Sequence, residues 1–183
     1  MAAHGADITA LGYALLGQIS IASRSGYALR MVFETTPMGS YSSSPGSIYP
    51  ALKSLCSKGL ARTVGQGRGG RYEITPAGAE LLDRWLRQPV TTEEVARRLD
   101  LALLRFAFLM AHPDRGLTHA FLRSFETATA ARATELKAFL DAGPGAALPL
   151  QARLAVEHGQ RSLETSARWA ADSLRRLTAE QEG

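Results

Sequence analysis

Two short alternating runs, Leu60 to Val64 and Arg71 to Thr75, are joined by Gln66-Gly67-Arg68-Gly69-Gly70. Three glycines in a connection this short permit the positive φ of a tight turn, so the runs pair as a hairpin with Arg68 projecting from its tip. The flanks decide what the hairpin belongs to. Upstream, Ile48, Leu52, Leu55 and Cys56 fall at i, i+4, i+7 and i+8 and form one apolar helical stripe, with Gly59 placed to end that helix. Downstream, Thr75 caps a further helix with Pro76 at its first position, and Ala77, Leu81, Leu82, Trp85 and Leu86 make its apolar face. Gly-rich segments also cradle nucleotide phosphates, but that chemistry needs a Gly-Lys-Ser/Thr ending before a helix, and here a strand follows.

The polar side of the helix before the hairpin carries Ser47, Pro50, Lys53, Ser54 and Ser57, with Tyr49 at its border and no carboxylate. Small hydroxyls and one cation suit a surface that meets phosphates and base edges. Pro50 lacks an N–H, so the helix begins near Ser47 or has an irregular first turn, leaving backbone N–H groups available to an anion. An ordinary amphipathic helix with a solvated face explains this stretch alone equally well; the basic hairpin tip favours the nucleic-acid reading. Leu11, Leu15, Ile19 and Ala22 space as one face of a first helix. Tyr27, Leu29, Met31, Val32 and Phe33 belong to a second, after Ser23-Arg24-Ser25-Gly26. Helix, helix, helix, strand, strand, helix is the order of a winged helix-turn-helix.

The chain resembles the PadR family of bacterial transcriptional regulators in LLGQI (15–19), GYALR (26–30), SPGSIYPALKSLCSKGL (44–60) and RYEITPAGAELLDRWL (71–86). Ser25 stands where that family usually has a His before Gly-Tyr. The resemblance implies a mainly α fold, with an amino-terminal winged-helix DNA-binding domain over 1–88 and a carboxy-terminal three-helix dimerisation domain over 89–183. It also implies DNA release when a small aromatic or hydrophobic ligand binds.

Charge divides along the same line. Residues 1–88 contain nine Lys/Arg and five Asp/Glu, whereas residues 89–183 contain twelve of each, so the basic excess of +4 lies in the first part. That is the modest electrostatic footprint expected of a DNA-binding domain. At 183 residues the chain can bury roughly 70% of its unfolded surface without covalent staples. The single cysteine, Cys56, excludes an internal disulfide and suits a reducing cytoplasm. No export or membrane segment is expected: Leu11 to Ile21 is interrupted by Gln18 and preceded by no basic residue, and Leu101 to Ala111 is short and contains Arg105.

The second half reads as three helices. Val95, Leu99, Ala102, Leu103, Phe106, Leu109 and Met110 form a broad face on the first, which His112-Pro113-Asp114-Arg115-Gly116 ends. The second runs from about Leu117 to Leu140. The third starts near Leu150, and Val156, Leu163, Ala167, Ala170, Leu174 and Leu177 make a heptad seam suited to pairing with a second copy. The dispersed histidines His4, His112, His119 and His158 do not make a metal site, and no nucleophile elbow or paired carboxylates suggest an enzyme or a cofactor.

The expected function is a homodimeric, cytoplasmic, sequence-specific repressor on double-stranded DNA. Two recognition helices would lie about 34 Å apart on a pseudo-palindromic operator. The expected DNA contacts are Tyr27, Ser44, Gly46, Ser47, Tyr49, Lys53, Arg68 and Arg71; the candidate effector pocket is Phe106, Met110, Phe121, Phe125 and Trp169. The alternative is a winged-helix adaptor that binds protein rather than DNA.

Overall fold

The computed structural model describes residues 8–41, 45–65 and 70–182. The chain divides into two compact units, Met1–Leu86 and Arg87–Gly183. The fold is mainly α, with a three-stranded antiparallel sheet in the first unit.

In the first unit α1 (Ala10–Ile21) is the central helix. Its N-cap Thr9 accepts from Gly12 N through Oγ1, and Leu11, Ala14, Leu15, Leu16 and Ile19 are buried. Ala22, expected on its inner face, lies beyond the helix end and is exposed. β1 (Arg24–Ser25) precedes α2 (Gly26–Thr35), which Ser25 caps by accepting from Ala28 N at 3.1 Å. The residue that departs from the family pattern therefore supplies an ordinary N-cap. The sequence reading missed β1, because a two-residue strand has no periodicity; it exists only through its pairing, Arg24 with Tyr72 and Ser25 with Arg71.

A 3₁₀ turn at Pro45–Ser47 leads into α3 (Ile48–Ser57), so Pro50 sits in the first α-turn, where its missing N–H breaks no helical bond. Ile48, Leu52 and Leu55 are buried, and Cys56 is half-buried. The helix ends in a Schellman motif: Gly59 has φ +69°, its N–H reaches Cys56 O at 3.0 Å, and Leu60 N–H reaches Leu55 O at 2.9 Å. β2 (Ala61–Val64) and β3 (Arg71–Ile74) then pair, with Arg62 opposite Glu73 and Thr63 opposite Tyr72. Thr75 Oγ1 donates to Gly59 O at 2.6 Å and accepts from Gly78 N at 3.1 Å, joining the end of α3 to the start of α4 (Pro76–Leu86). A Cβ on Gly78 would lie 2.0 Å from Leu60 O, so α4 can approach this strand only through glycine. Leu81, Leu82, Trp85 and Leu86 close the core, and Trp85 stacks on Tyr13 at 4.4 Å between ring centroids. Ala77, expected on this face, is exposed, and Gly78 takes its place.

The second unit consists of α5 (Thr92–Phe108), α6 (Gly116–Asp141) and α7 (Leu150–Glu182). Thr91 caps α5 by accepting from Glu94 N. At Arg98 the backbone leaves the helix (φ −149°, ψ 53°). Leu104, Arg105 and Phe108 are buried beside Ala102 and Leu109, while Leu103 and Met110, expected inside, are exposed. The buried Arg105 guanidinium pairs with Glu94 at 2.8 Å across the break and lies over the Phe121 ring at 5.6 Å. In α7, Leu163 and Ala170 of the expected seam are buried within the single chain, where α7 packs on α6. Among the described residues no helix is long and apolar enough to cross a membrane.

Candidate nucleic-acid interface

α2 and α3 meet through a residue with no side chain. A Cβ on Gly26 would come within 2.7 Å of Tyr49 Cε1, so the Tyr49 ring lies across the start of α2. Half of that ring stays outside, for Tyr49 is 47% and Tyr27 63% exposed. Aromatic surface this accessible, beside cations, suits stacking on sugar and bonding to phosphate more than it suits core packing. Lys53 is exposed one turn further along α3, and α3 carries no carboxylate. Gly46 is exposed and Ser47 half-buried in the turn that leads into the helix.

Arg30 joins this group and was absent from the sequence reading. It follows Tyr27 by three residues on α2, a spacing that places both on one helical face and could have revealed it. Glu34 holds the guanidinium at 2.7 Å and, by this hydrogen bond first, keeps its pKa above the ordinary value; the neighbouring Tyr49 and Tyr27 add smaller electrostatic contributions. On the sheet side Tyr72 is half-buried, and its phenol is pushed up by burial first, then by Cys56 and Tyr49.

The β2–β3 hairpin belongs to the same sheet as Tyr72. Its base is pinned, since Arg71 Nε donates to Ser23 Oγ at 3.2 Å and its terminal nitrogen donates to Ser23 O. Arg62 and Glu73 pair across the strands at 3.1 Å. Arg71 thus has a structural task at the base of the wing besides any contact with a partner. Arg68 and Ser44, both expected contacts, lie outside the described residues. Helices α1 to α4 with a three-stranded sheet ordered β1-β3-β2, and α3 directly before the β2–β3 hairpin in sequence, settle the architecture. The first unit is a winged helix-turn-helix.

No family model and no curated protein matches the chain. Among solved structures it is similar to the PadR-like transcriptional regulator BC1756 from Bacillus cereus, at 21% identity over 93% of this chain and 99% of that one, with a TM-score of 0.41. It is similar also to Bacillus subtilis PadR in complex with operator DNA, at 22% identity, 91% and 97% coverage and a TM-score of 0.38. A third similar structure is the Vibrio cholerae virulence activator AphA, at 24% identity, 93% and 99% coverage and a TM-score of 0.41.

The candidate effector residues separate into two sets. Phe121 and Phe125 are core: they stack on each other at 5.6 Å, and Phe125 and Phe106 meet the Trp169 ring edge-on at 5.6 and 5.4 Å. Phe106 and Met110, in contrast, border a cavity of about 630 Å³ at the end of α5. Phe121, Phe125 and Trp169 support that wall from behind without lining the space. Among the described residues no group of three or more His, Cys, Asp or Glu side chains could hold a metal ion.

Proposed function

We propose that this protein is a PadR-type DNA-binding transcriptional regulator with no catalytic role. It binds duplex DNA as a homodimer, with α3 in the major groove and Tyr27 and Arg30 on the flanking phosphates. The observation that carries this reading is the surface formed by Tyr27, Arg30, Tyr49 and Lys53. Two half-exposed tyrosines and two cations share it, on the exposed side of the helix pair that a winged helix-turn-helix presents to a groove. The basic excess confined to residues 1–88 supports the same reading. Each copy would fill one half of a pseudo-palindromic operator. In the cytoplasm it acts as a repressor, released when a small aromatic or hydrophobic ligand occupies the cavity beside Phe106 and Met110.

A gel shift with random duplex at several salt concentrations tests the DNA reading. The expected outcome is binding that weakens as salt rises, as counterion release requires. Lys53→Glu should abolish binding while leaving stability within about 0.5 kcal/mol, because Lys53 is exposed on α3. Normal binding by Lys53→Glu would show that α3 is not the reading helix. No salt-dependent binding by the parent protein would favour the protein-adaptor alternative.

A further inference from the structure

α3 turns one side outward. Pro50, Lys53, Ser54 and Ser57 stand at i, i+3, i+4 and i+7 and are exposed, while Ile48, Leu52 and Leu55 on the opposite side are buried. In the major groove, guanine is read by arginine or lysine, adenine by asparagine or glutamine, and cytosine by a carboxylate. From Ile48 to Ser57 the helix contains no Arg, Asn, Gln, Asp or Glu. Serine bonds to donors and acceptors alike, and the Pro50 ring offers neither. Lys53 is therefore the one side chain on the outward face of α3 whose hydrogen bonds discriminate between base pairs.

Its neighbours are committed elsewhere. The Tyr49 ring lies across the start of α2, within 2.7 Å of where a Cβ on Gly26 would stand, and the Arg30 guanidinium is held by Glu34 at 2.7 Å. Among the described residues no carboxylate pairs with the Lys53 ammonium, so its three N–H donors remain available. Guanine presents two adjacent acceptors, O6 and N7, to such a group. Adenine sets an amino donor beside its N7, and cytosine presents an amino donor alone, so both oppose a cation that has no acceptor.

We infer that Lys53 is the specificity-determining residue of α3 and reads a guanine in each half-site through O6 and N7. This assignment rests on the DNA-binding reading above and places one of its cations on a base instead of on phosphate.

The test selects binding sites from a random duplex pool with the full-length protein and with Lys53→Gln, and sequences both sets. The parent should select guanine at one fixed position of the half-site. Lys53→Gln should select adenine there, the base that glutamine pairs with, and keep the other selected positions. A second measurement leaves the parent protein unaltered: replacing that guanine by 7-deazaguanine removes one acceptor and should weaken binding about 10-fold, the scale of one lost base contact. Lys53→Ala, at an exposed position, should bind the guanine and 7-deazaguanine sites equally, with its helical circular dichroism retained. A guanine preference that survives Lys53→Gln, or parent binding indifferent to 7-deazaguanine at every position of the half-site, overturns the assignment. Lys53→Ala that selects the parent's site, weakens all duplexes alike and lowers the salt slope by about one also overturns it, placing Lys53 on phosphate while the DNA reading stands. No selected site together with no salt-dependent binding by the parent overturns both.

Discussion

Glycine has opposite meanings at Gly78 in the first unit and at Gly159 in the second. Gly59 holds a positive φ at the end of α3, and Gly78 lets α4 touch the backbone of Leu60, so a Cβ at Gly78 would collide with a carbonyl oxygen. Gly159 lies in the middle of α7, where an added methyl would meet only the far end of Leu136 at 3.8 Å. The first unit is specified by points at which one residue type fits. The helices of the second are specified by apolar stripes, in which many residues would serve, although the turn after α6 also requires glycine, for a Cβ on Gly145 would collide with Phe139 O. Local chemistry therefore announces the winged helix in the sequence, while the helical unit gives little away about which faces meet.

The sharpest test of this contrast is a pair of identical substitutions. Gly78→Ala should lower stability by about 3 kcal/mol or more, because backbone must move. Gly159→Ala should raise it by roughly 0.5 to 1 kcal/mol, the propensity gain inside a helix. Urea unfolding of both variants measures the difference; similar values for the two would dissolve the comparison.

A smaller effect concerns Thr75, whose hydroxyl accepts from the start of α4 and donates to the end of α3. Thr75→Ala should cost about 1 to 2 kcal/mol, at the upper end for a lost N-cap because a second bond goes with it. Thr91→Ala, removing the cap of α5, should stay nearer 1 kcal/mol, since among the described residues that hydroxyl has the single bond from Glu94 N. Equal losses would mean that the bond to Gly59 adds nothing.

The smallest expected effect probes the break in α5. Arg98 bonds Asp100 at 3.1 Å, and this pairing first, against opposing burial, holds the Asp100 carboxyl below its ordinary range. A carboxyl depressed in the folded state adds stability above its unfolded pKa, near 4, and that stability is lost as pH falls through the folded value. Both side chains are about half exposed, so the pair contributes no more than about 0.5 kcal/mol. Asp100→Asn should flatten the decline in stability below pH 4 by that small amount and leave stability near pH 7 lower by the same margin. A loss several times larger would make the pair a main brace of the kink.

What the sequence determined by itself was whatever depends on neighbours within one turn. The Schellman end at Gly59, the Thr75-Pro76 helix start, the pairing of the two short strands and the exposed positions of Tyr49 and Lys53 all follow from local backbone and capping chemistry. Tertiary structure decided the rest. β1 became a strand only by pairing with residues some fifty positions away, and packing in the second unit buried Leu104, Arg105 and Phe108 of α5 while leaving Leu103 and Met110 exposed. The buried Arg105 lies over the Phe121 ring, and the heptad members Leu163 and Ala170 are used on α6 within one chain. Periodicity reports that a face is apolar; which surface covers it depends on long-range packing.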